Sequence, residues 1–278
     1  MACLNEVEII NLVMKSDLAE RLDQTETNVL HSRLTAIKNR EGNPMGVEIQ
    51  RIGGTTAFAA RNIPGPSFNL VKGFNEADAE ALDQIIDFYQ GKGIPIRLEI
   101  TPLNGSSDLL KMLHQKGFYQ CDFHTTLFAE PTDLVDIPIN ADIDIRRMQG
   151  SDFDLFGELY TKGFGMPGFL SQGIAENNEV LYDNRNWFFY LAFINNEPAG
   201  IGVIFIDDGA ANLAAAAVLP VFRNRGVHSA LIQARLYQAI TQNSELVTGQ
   251  ARFGSASQNN MEKAGLKIGY TKAIWIKE

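Results

Sequence analysis

A repeated order of secondary structure elements constrains this chain more than any other sequence feature. Residues 77–128 read as a helix, a strand, a second helix and a final extended stretch, and residues 226–276 read in the same order with similar lengths. Gly117 and Gly265 lie 148 positions apart, and Leu82 and Leu231 lie 149 positions apart. We interpret the two stretches as copies of one duplicated unit. Chance similarity is the alternative, because alternating helices and strands are common.

The length and one turn-rich stretch predict two domains. A chain of 278 residues fits one large or two medium domains. The stretch EPTDLVDIPINAD, residues 130–142, contains two prolines and several turn formers but no helical period, which is typical of a domain boundary. We therefore predict one domain over residues 1–138 and a second over residues 139–278, both built from helices and strands of the α/β class.

Charge and composition exclude several classes of protein. Hydrophobic residues make up 45% of the chain and charged residues 21%, as in a globular protein that buries a core. The net charge of -9 argues against nucleic acid as a partner and mildly favours cationic ligands. The N-terminal stretch lacks the pattern of a signal peptide, and no membrane span is expected, so the cytoplasm is the expected location. Cys3 and Cys121 lack metal-binding spacing, so neither a metal site nor a disulfide framework is expected.

The second copy begins at a turn that combines a glycine with two arginines. The alanine-rich run over residues 209–219 is predicted as a buried strand, because DDG introduces it and Pro220 ends it. Arg223, Arg225 and Gly226 then precede a strongly apolar helix. Amides at the start of a helix lack intrahelical partners and, with the helix dipole, attract anions. The glycine permits close approach and the arginines supply charge, so the turn predicts a pyrophosphate site.

This turn and its surroundings resemble the GCN5-related N-acetyltransferase (GNAT) family, whose pyrophosphate loop reads [QR]-x-x-G-x-[GA] between its fourth strand and third helix. The run VLPVFRNRGVHSALIQARL, followed by GSASQNNMEKAGL and YTKAIW, resembles a tandem branch of that family. The resemblance covers residues 143–278 well and the first part only by its element order. It implies two GNAT-like domains, each a mixed, mostly antiparallel sheet flanked by helices.

The resemblance also implies acetyl-CoA as co-substrate. Its pyrophosphate would lie on the arginine-glycine turn, and its pantetheine arm would pair with the backbone near the end of the alanine-rich strand. A splayed gap between the fourth and fifth strands, about residues 211–219 and 245–251, would admit the thioester. The implied cofactor-binding residues are Val218, Leu219, Arg223, Asn224, Arg225, Gly226, Val227, His228, Ser229 and Ser257.

Three departures from the family pattern bear on the chemistry. His228 stands where the family has a small residue. Its side chain could crowd the phosphates or contact the adenosine end, but we expect an exposed side chain there. The fourth strand lacks the family's glutamate and Met261 replaces its tyrosine, so no catalytic residue is assigned. In the first copy, Asn75 to Asp78 stand 148 positions before the loop, and their carboxylates would repel phosphate. We infer a degenerate N-terminal copy and one cofactor site per chain.

Other polar residues are candidates for the missing chemistry, and each has a structural alternative. Ser257 reads as a helix cap, while Asp207 and Asp208 read as turn residues beside a glycine. Tyr160 and Glu158 lie on a helix that borders the acceptor cleft in the family, although amphipathic helices often present such residues to solvent.

Two functional hypotheses follow from the resemblance. The first is an N-acetyltransferase that moves an acetyl group from acetyl-CoA to a primary amine of a small molecule or peptide. The second is a non-catalytic acyl-CoA-binding or regulatory protein, which the missing glutamate and tyrosine favour. We expect a monomer or a homodimer without nucleic acid or membrane partners.

Overall fold

The computed structural model describes residues 14–138 and 140–277. Cys3 and Ile139, the first residue of the predicted second domain, lie outside the described residues. In the first half the elements are α1 (Ser16–Lys38), β1 (Val47–Ile52), β2 (Thr55–Ala60), β3 (Leu70–Lys72), α2 (Leu82–Gln90), β4 (Ile96–Ile100), α3 (Ser107–Gln115) and β5 (Tyr119–Ala129). In the second half they are β6 (Ile143–Arg147), α4 (Phe153–Phe164), α5 (Ser171–Glu179), β7 (Trp187–Ile194), β8 (Glu197–Asp207), β9 (Ala210–Val218), α6 (Val227–Thr241), β10 (Leu246–Arg252), α7 (Ala256–Lys263) and β11 (Lys267–Lys277).

The strands of the described residues form one sheet in the order β1-β2-β3-β4-β11-β5-β10-β9-β8-β7-β6. Pairing is antiparallel except between β3 and β4 and between β9 and β10, which pair in parallel. The sheet is therefore mixed and mostly antiparallel, with helices against it, as the sequence predicts.

The last strand of each half pairs with strands of the other half. Strand β11, the last of the second half, pairs with β4 of the first half, while β5, the last of the first half, pairs with β10 of the second. The two exchanged strands also pair with each other at the centre of the sheet. The strand order is therefore nearly symmetric about the β5–β11 pair, with β4 matching β10 and β3 matching β9.

The two predicted copies share backbone details as well as element order. Gly117 and Gly265 both adopt a positive φ, 83° and 98°, and each follows the C-cap residue of its helix, α3 or α7. The amide of Phe118 donates to the carbonyl of Leu113, and 148 positions later the amide of Leu266 donates to that of Met261. The order of elements predicted for both copies is thus confirmed.

The alanine-rich run forms strand β9, as predicted, rather than a helix. Its predicted turn is also present, because Asp208 and Gly209 adopt the left-handed backbone conformation at φ 45° and 68°. Gln149 and Asp152 cap the start of the α4 region reciprocally, each side chain accepting from the other's backbone amide.

A buried ionic cluster lies where α1 crosses the exchanged strands. Glu26 of α1 accepts hydrogen bonds from Lys72 of β3, at 2.8 Å, and from Lys272 of β11. Glu99 of β4 lies 2.7 Å from Lys272 and 3.3 Å from Lys72. The hydroxyl of Thr126 on β5 donates to the second oxygen of Glu26. The cluster therefore joins α1 to strands of both halves.

The cluster favours the charged forms of Glu26, Glu99 and Lys72. Burial alone would raise the pKa of Glu26, but the adjacent Lys272 and Lys72 ammonium groups outweigh burial and lower it. The same two lysines lower the pKa of Glu99 against the effect of burial. Burial opposes the charge of Lys72, yet the Glu26 and Asp23 carboxylates raise its pKa well above the ordinary value.

Replacing Glu26 by glutamine should destabilise the fold strongly. The change leaves Lys72 and Lys272 buried with too little negative charge, and breaking a buried pair from one side costs about 3–5 kcal/mol. Urea denaturation of the Glu26→Gln variant should show this loss in the free energy of unfolding. Glu20→Gln is the matched control, because Glu20 is exposed on the same helix. Equal stabilities of the two variants would contradict a structural role for the cluster.

Candidate functional site

Strands β9 and β10 separate part-way along their length. They pair only between Ala210–Leu213 and Leu246–Gly249, although β9 continues to Val218. The predicted gap between these strands is therefore present. The small side chains of Ala214, Ala215 and Ala216 line it, so the gap stays open.

Two adjoining cavities meet at this gap. The outer cavity, about 660 Å³, is lined only by residues between Gly163 and Lys263. The inner cavity, about 420 Å³, is lined by residues of both halves. Phe164, Ala216, His228 and Ser257 line both. A long ligand in the outer cavity can therefore reach the inner one through the gap.

The arginine-glycine turn forms one end of the outer cavity. Asn224 and Gly226 adopt the left-handed conformation, at φ 60° and 89°, and residues 223–226 are exposed. Gly226 occupies the N-cap position of α6 without a side-chain capping hydrogen bond. Amides of the first turn of α6 are thus left for an external acceptor, which is the arrangement that binds anions.

Most of the predicted cofactor residues line the outer cavity. These are Val218, Arg223, Asn224, Gly226, Val227, His228, Ser229 and Ser257. The guanidinium group of Arg223 also donates to the carbonyl of Gly163, at 2.9 Å, which ties the turn to α4.

Two predicted residues lie apart from the cavity walls. Arg225 is exposed, and its guanidinium carbon lies 5.5 Å from the ring centre of Phe222. The pairing predicted for Leu219 does not fit, because its amide donates to Ala199 and its carbonyl accepts from Phe222. Both backbone groups of Leu219 are therefore engaged within the protein.

The expectation of an exposed His228 is wrong. The side chain is largely buried between the two cavities, where its Nδ1 lies 3.0 Å from the side-chain nitrogen of Asn260. Burial lowers the pKa of His228 to about 4, and the positive charge of Arg235 contributes. His228 is therefore neutral near pH 7, and an amide donor at Nδ1 places the ring proton on Nε2.

The expectation that Ser257 caps α7 is also wrong. The hydroxyl of Ser255 accepts from the amide of Gln258, so Ser255 is the cap. Ser257 lies in the first turn of α7 and contributes to the walls of both cavities. The serine spacing alone did not distinguish these two positions.

Among the remaining candidates, only Tyr160 lines either of these two cavities. Tyr160 lines the inner cavity, and burial raises the pKa of its hydroxyl against the opposing charge of Arg33. Glu158 instead faces solvent and pairs with Lys162 at 2.9 Å. Asp207 and Asp208 lie outside both cavities at the β8–β9 turn.

The sequence patterns missed the wall that the first half supplies. Glu26 and Arg33 of α1 line the inner cavity together with residues of β3, β4 and β5. This wall contains Lys72, Arg97, Glu99 and His124. A buried arginine of α6, Arg235, also lines the cavity and donates to the carbonyl of Ala215 at 3.1 Å. The charges at alternate positions 97 and 99 of a predicted strand were the available signal.

No helix within residues 14–138 and 140–277 is long and apolar enough to cross a membrane. The same part of the chain contains no group of three or more His, Cys, Asp or Glu side chains placed to hold a metal ion. Cys121 is exposed as a free thiol.

Residues 154–263 match the model of the acetyltransferase (GNAT) family. A GCN5-related N-acetyltransferase from Kribbella flavida is 12% identical at a TM-score of 0.65, over 90% of this chain and 94% of that chain. A tandem GNAT protein from the clavulanic acid biosynthesis pathway is 13% identical at a TM-score of 0.61, over 92% of this chain and 96% of that chain. A GCN5-related N-acetyltransferase from Sphaerobacter thermophilus is 15% identical at a TM-score of 0.57, and the match covers 82% of each chain. At these identities the likeness establishes the fold. No curated protein sequence matches this chain.

The imidazole of His228 should remain neutral down to about pH 5 and titrate with a midpoint near pH 4. Histidine-detected NMR between pH 4 and 8 measures this, with His228→Asn identifying the resonance. Because the folded pKa lies below the unfolded one, protonation favours unfolding, and wild-type stability should fall more steeply than that of the variant as pH drops below about 6.5. A midpoint between pH 6 and 7 would contradict the buried, neutral state.

Proposed function

Because residues 154–263 of this chain match the model of the acetyltransferase (GNAT) family, we propose that the protein binds acetyl-CoA and transfers its acetyl group to a primary amine of a small molecule or peptide. The observation that carries the proposal is the continuous path from the uncapped start of α6, through a gap in the sheet, to the inner cavity.

The outer cavity fits the elongated, anionic part of the co-substrate. Amides at the start of α6, with Arg223 and Arg225, would hold the pyrophosphate. Asn224, Val227, His228 and Ser229 complete this end, while Val218 would offer backbone groups to the pantetheine arm. Arg225 is exposed and therefore free to turn toward phosphate. Leu219 is omitted, because its backbone is already bonded.

The inner cavity supplies the place for the acceptor amine. Bound acetyl-CoA supplies an activated acyl group there, and the protein must orient the amine and manage its proton. Tyr160 and His228 line this cavity as uncharged groups near pH 7, because burial raises the pKa of the tyrosine and lowers that of the histidine. Both can donate hydrogen bonds to charge that develops on oxygen or sulfur. The general base remains unassigned.

The first half would act as a copy that no longer binds a nucleotide. At the position corresponding to the arginine-glycine turn, the side chain of Asn75 accepts from the amide of Ala77. The carboxylate of Asp78 accepts from the amide of Gly54 at 2.7 Å and the hydroxyl of Thr55 at 2.9 Å. In the first half, the side chains of Asn75 and Asp78 thus accept from backbone amides, and the negative charge of Asp78 would repel a phosphate. This arrangement supports one cofactor site per chain.

A non-catalytic acyl-CoA-binding protein is the alternative. Two missing side chains favour it. Strand β9 contains no carboxylate, and Met261 lines the inner cavity at the position where the family has a tyrosine. Turnover with a panel of amines separates the two functions, because a binding protein would bind acetyl-CoA without releasing thiol. For either function we propose a cytoplasmic monomer or homodimer without nucleic acid partners.

Reversing the charge of Arg225 should weaken CoA binding. A hydrogen bond to a charged group contributes about 1.5–3 kcal/mol, so Arg225→Glu should raise the dissociation constant about ten- to hundredfold. Isothermal titration with CoA measures this change. Arg185→Glu is the control, because Arg185 is also exposed but lies in the turn before β7. An unchanged affinity for Arg225→Glu would contradict the assignment of the phosphate loop.

A further inference from the structure

The inner cavity has an excess of positive charge although the chain as a whole is acidic. Its walls carry four basic side chains, Arg33, Lys72, Arg97 and Arg235, but only two acidic ones, Glu26 and Glu99. Both carboxylates are already shared with Lys72 and with Lys272 behind the wall. The arginines of the cavity therefore exceed the negative charge available to them.

Two of these arginines have no carboxylate partner among the described residues. Arg33 donates to the side-chain oxygen of Asn178 at 2.7 Å and lies 4.6 Å from the ring centre of Trp187. Arg235 donates to backbone carbonyls of Leu231 and Ala215 at 2.9 and 3.1 Å. Both guanidinium groups are buried, and their hydrogen-bond acceptors are uncharged amide and carbonyl oxygens. A buried positive charge without a counter-ion favours a nearby anion.

Arg97 has unused hydrogen-bonding capacity in this cavity. Its Nε is buried without a hydrogen-bond partner, and its only ion pair among the described residues is a long one, 3.5 Å from Nη2 to Glu99. The Nδ1 atom of His124 is likewise buried without a partner. Buried polar groups in folded proteins nearly always have partners, so this pair indicates a ligand that supplies them.

The position of this pair relative to the gap indicates which part of the ligand it meets. Arg97 lies on β4 and His124 on β5, both in the first half, whereas the outer cavity is lined only by the second half. Neither residue belongs to the four that both cavities share. The pair therefore faces a part of the acceptor away from the acyl group.

We propose that the acceptor is a small amine that also carries an anionic group, a carboxylate or a phosphate, and that Arg97 binds this group. The inference rests on the proposed function, since it assumes that the inner cavity receives the acceptor. A guanidinium group matches the planar carboxylate and the phosphate oxygens alike. The cavity volume of about 420 Å³ suits a ligand of this size.

Matched pairs of amines test the charge preference. Each pair differs in the anionic group: an amino acid against its amide, and an aminoalkyl phosphate against the amino alcohol, with a diamine as the cationic member. Thiol release should give a KM about ten- to hundredfold lower for the anionic member of at least one pair, which also identifies carboxylate or phosphate. Equal or better use of the neutral amines or the diamine would overturn the proposal.

Arg97→Gln should remove this preference selectively. The variant should raise the KM for anionic amines about ten- to hundredfold while leaving the KM for neutral amines and the affinity for CoA unchanged. Arg51→Gln is the control, because Arg51 is exposed on β1 of the same half. A uniform loss for all amines, or no loss for the anionic ones, would overturn the role of Arg97.

Product binding keeps the proposal testable if no amine is acetylated. Calorimetry of the CoA-loaded protein with an N-acetylated amino acid, the corresponding N-acetylated amide and an N-acetylated aminoalkyl phosphate measures anion recognition without turnover. Binding of an anionic compound alone, lost in Arg97→Gln, supports the anion site even where the transferase activity fails. Absence of binding by both anionic compounds would overturn it, while CoA binding reports separately on the phosphate loop.

Discussion

The antiparallel pair of β5 and β11 at the centre of the sheet is the constraint on which the rest of the structure depends. Each of these strands closes one half in sequence but completes the sheet of the other half. Without the exchange, β4 and β10 would expose hydrogen-bonding edges that invite pairing with other chains. The exchange also forces both halves into one sheet. Parts of the first half can therefore line a cavity that opens in the second.

The buried ionic cluster lies on this shared seam. Such clusters are weak evidence for stability, because desolvation offsets much of the attraction between charges. Their geometry is demanding, however: Glu26 contacts groups on β3, β5 and β11 at once. A shift of α1 along the sheet would leave several charges buried without partners. The cluster thus fixes where α1 lies, and α1 supplies Arg33 to the inner cavity.

Local patterns predicted the part of the site that one segment builds. The strand of alanines, the left-handed turn at Gly226 and the start of α6 are set by neighbouring residues, so sequence reasoning found them. The expectation for His228 failed because its surroundings depend on Asn260 and Arg235, which reach it through packing. The expectation for Ser257 failed because Ser255, two positions earlier, fits the same cap pattern. The exchange of β5 and β11 has no local signature, because a strand's pattern reports its buried face and not its partner. The wall that contains Arg97 and His124 was therefore missed.

The net charge of the chain also fails to predict the charge inside the cavity. The net charge of -9 is a property of the whole surface, and it mildly favoured a cationic acceptor. Solvent and salt screen exposed charges within about 8–10 Å, whereas charges inside a cavity interact at a lower effective dielectric constant. A ligand in the inner cavity therefore responds mainly to Arg33, Arg97 and Arg235 rather than to the acidic surface. Because Arg33 and Arg97 come from the first half, that half would, under the proposed function, set the charge that the acceptor meets.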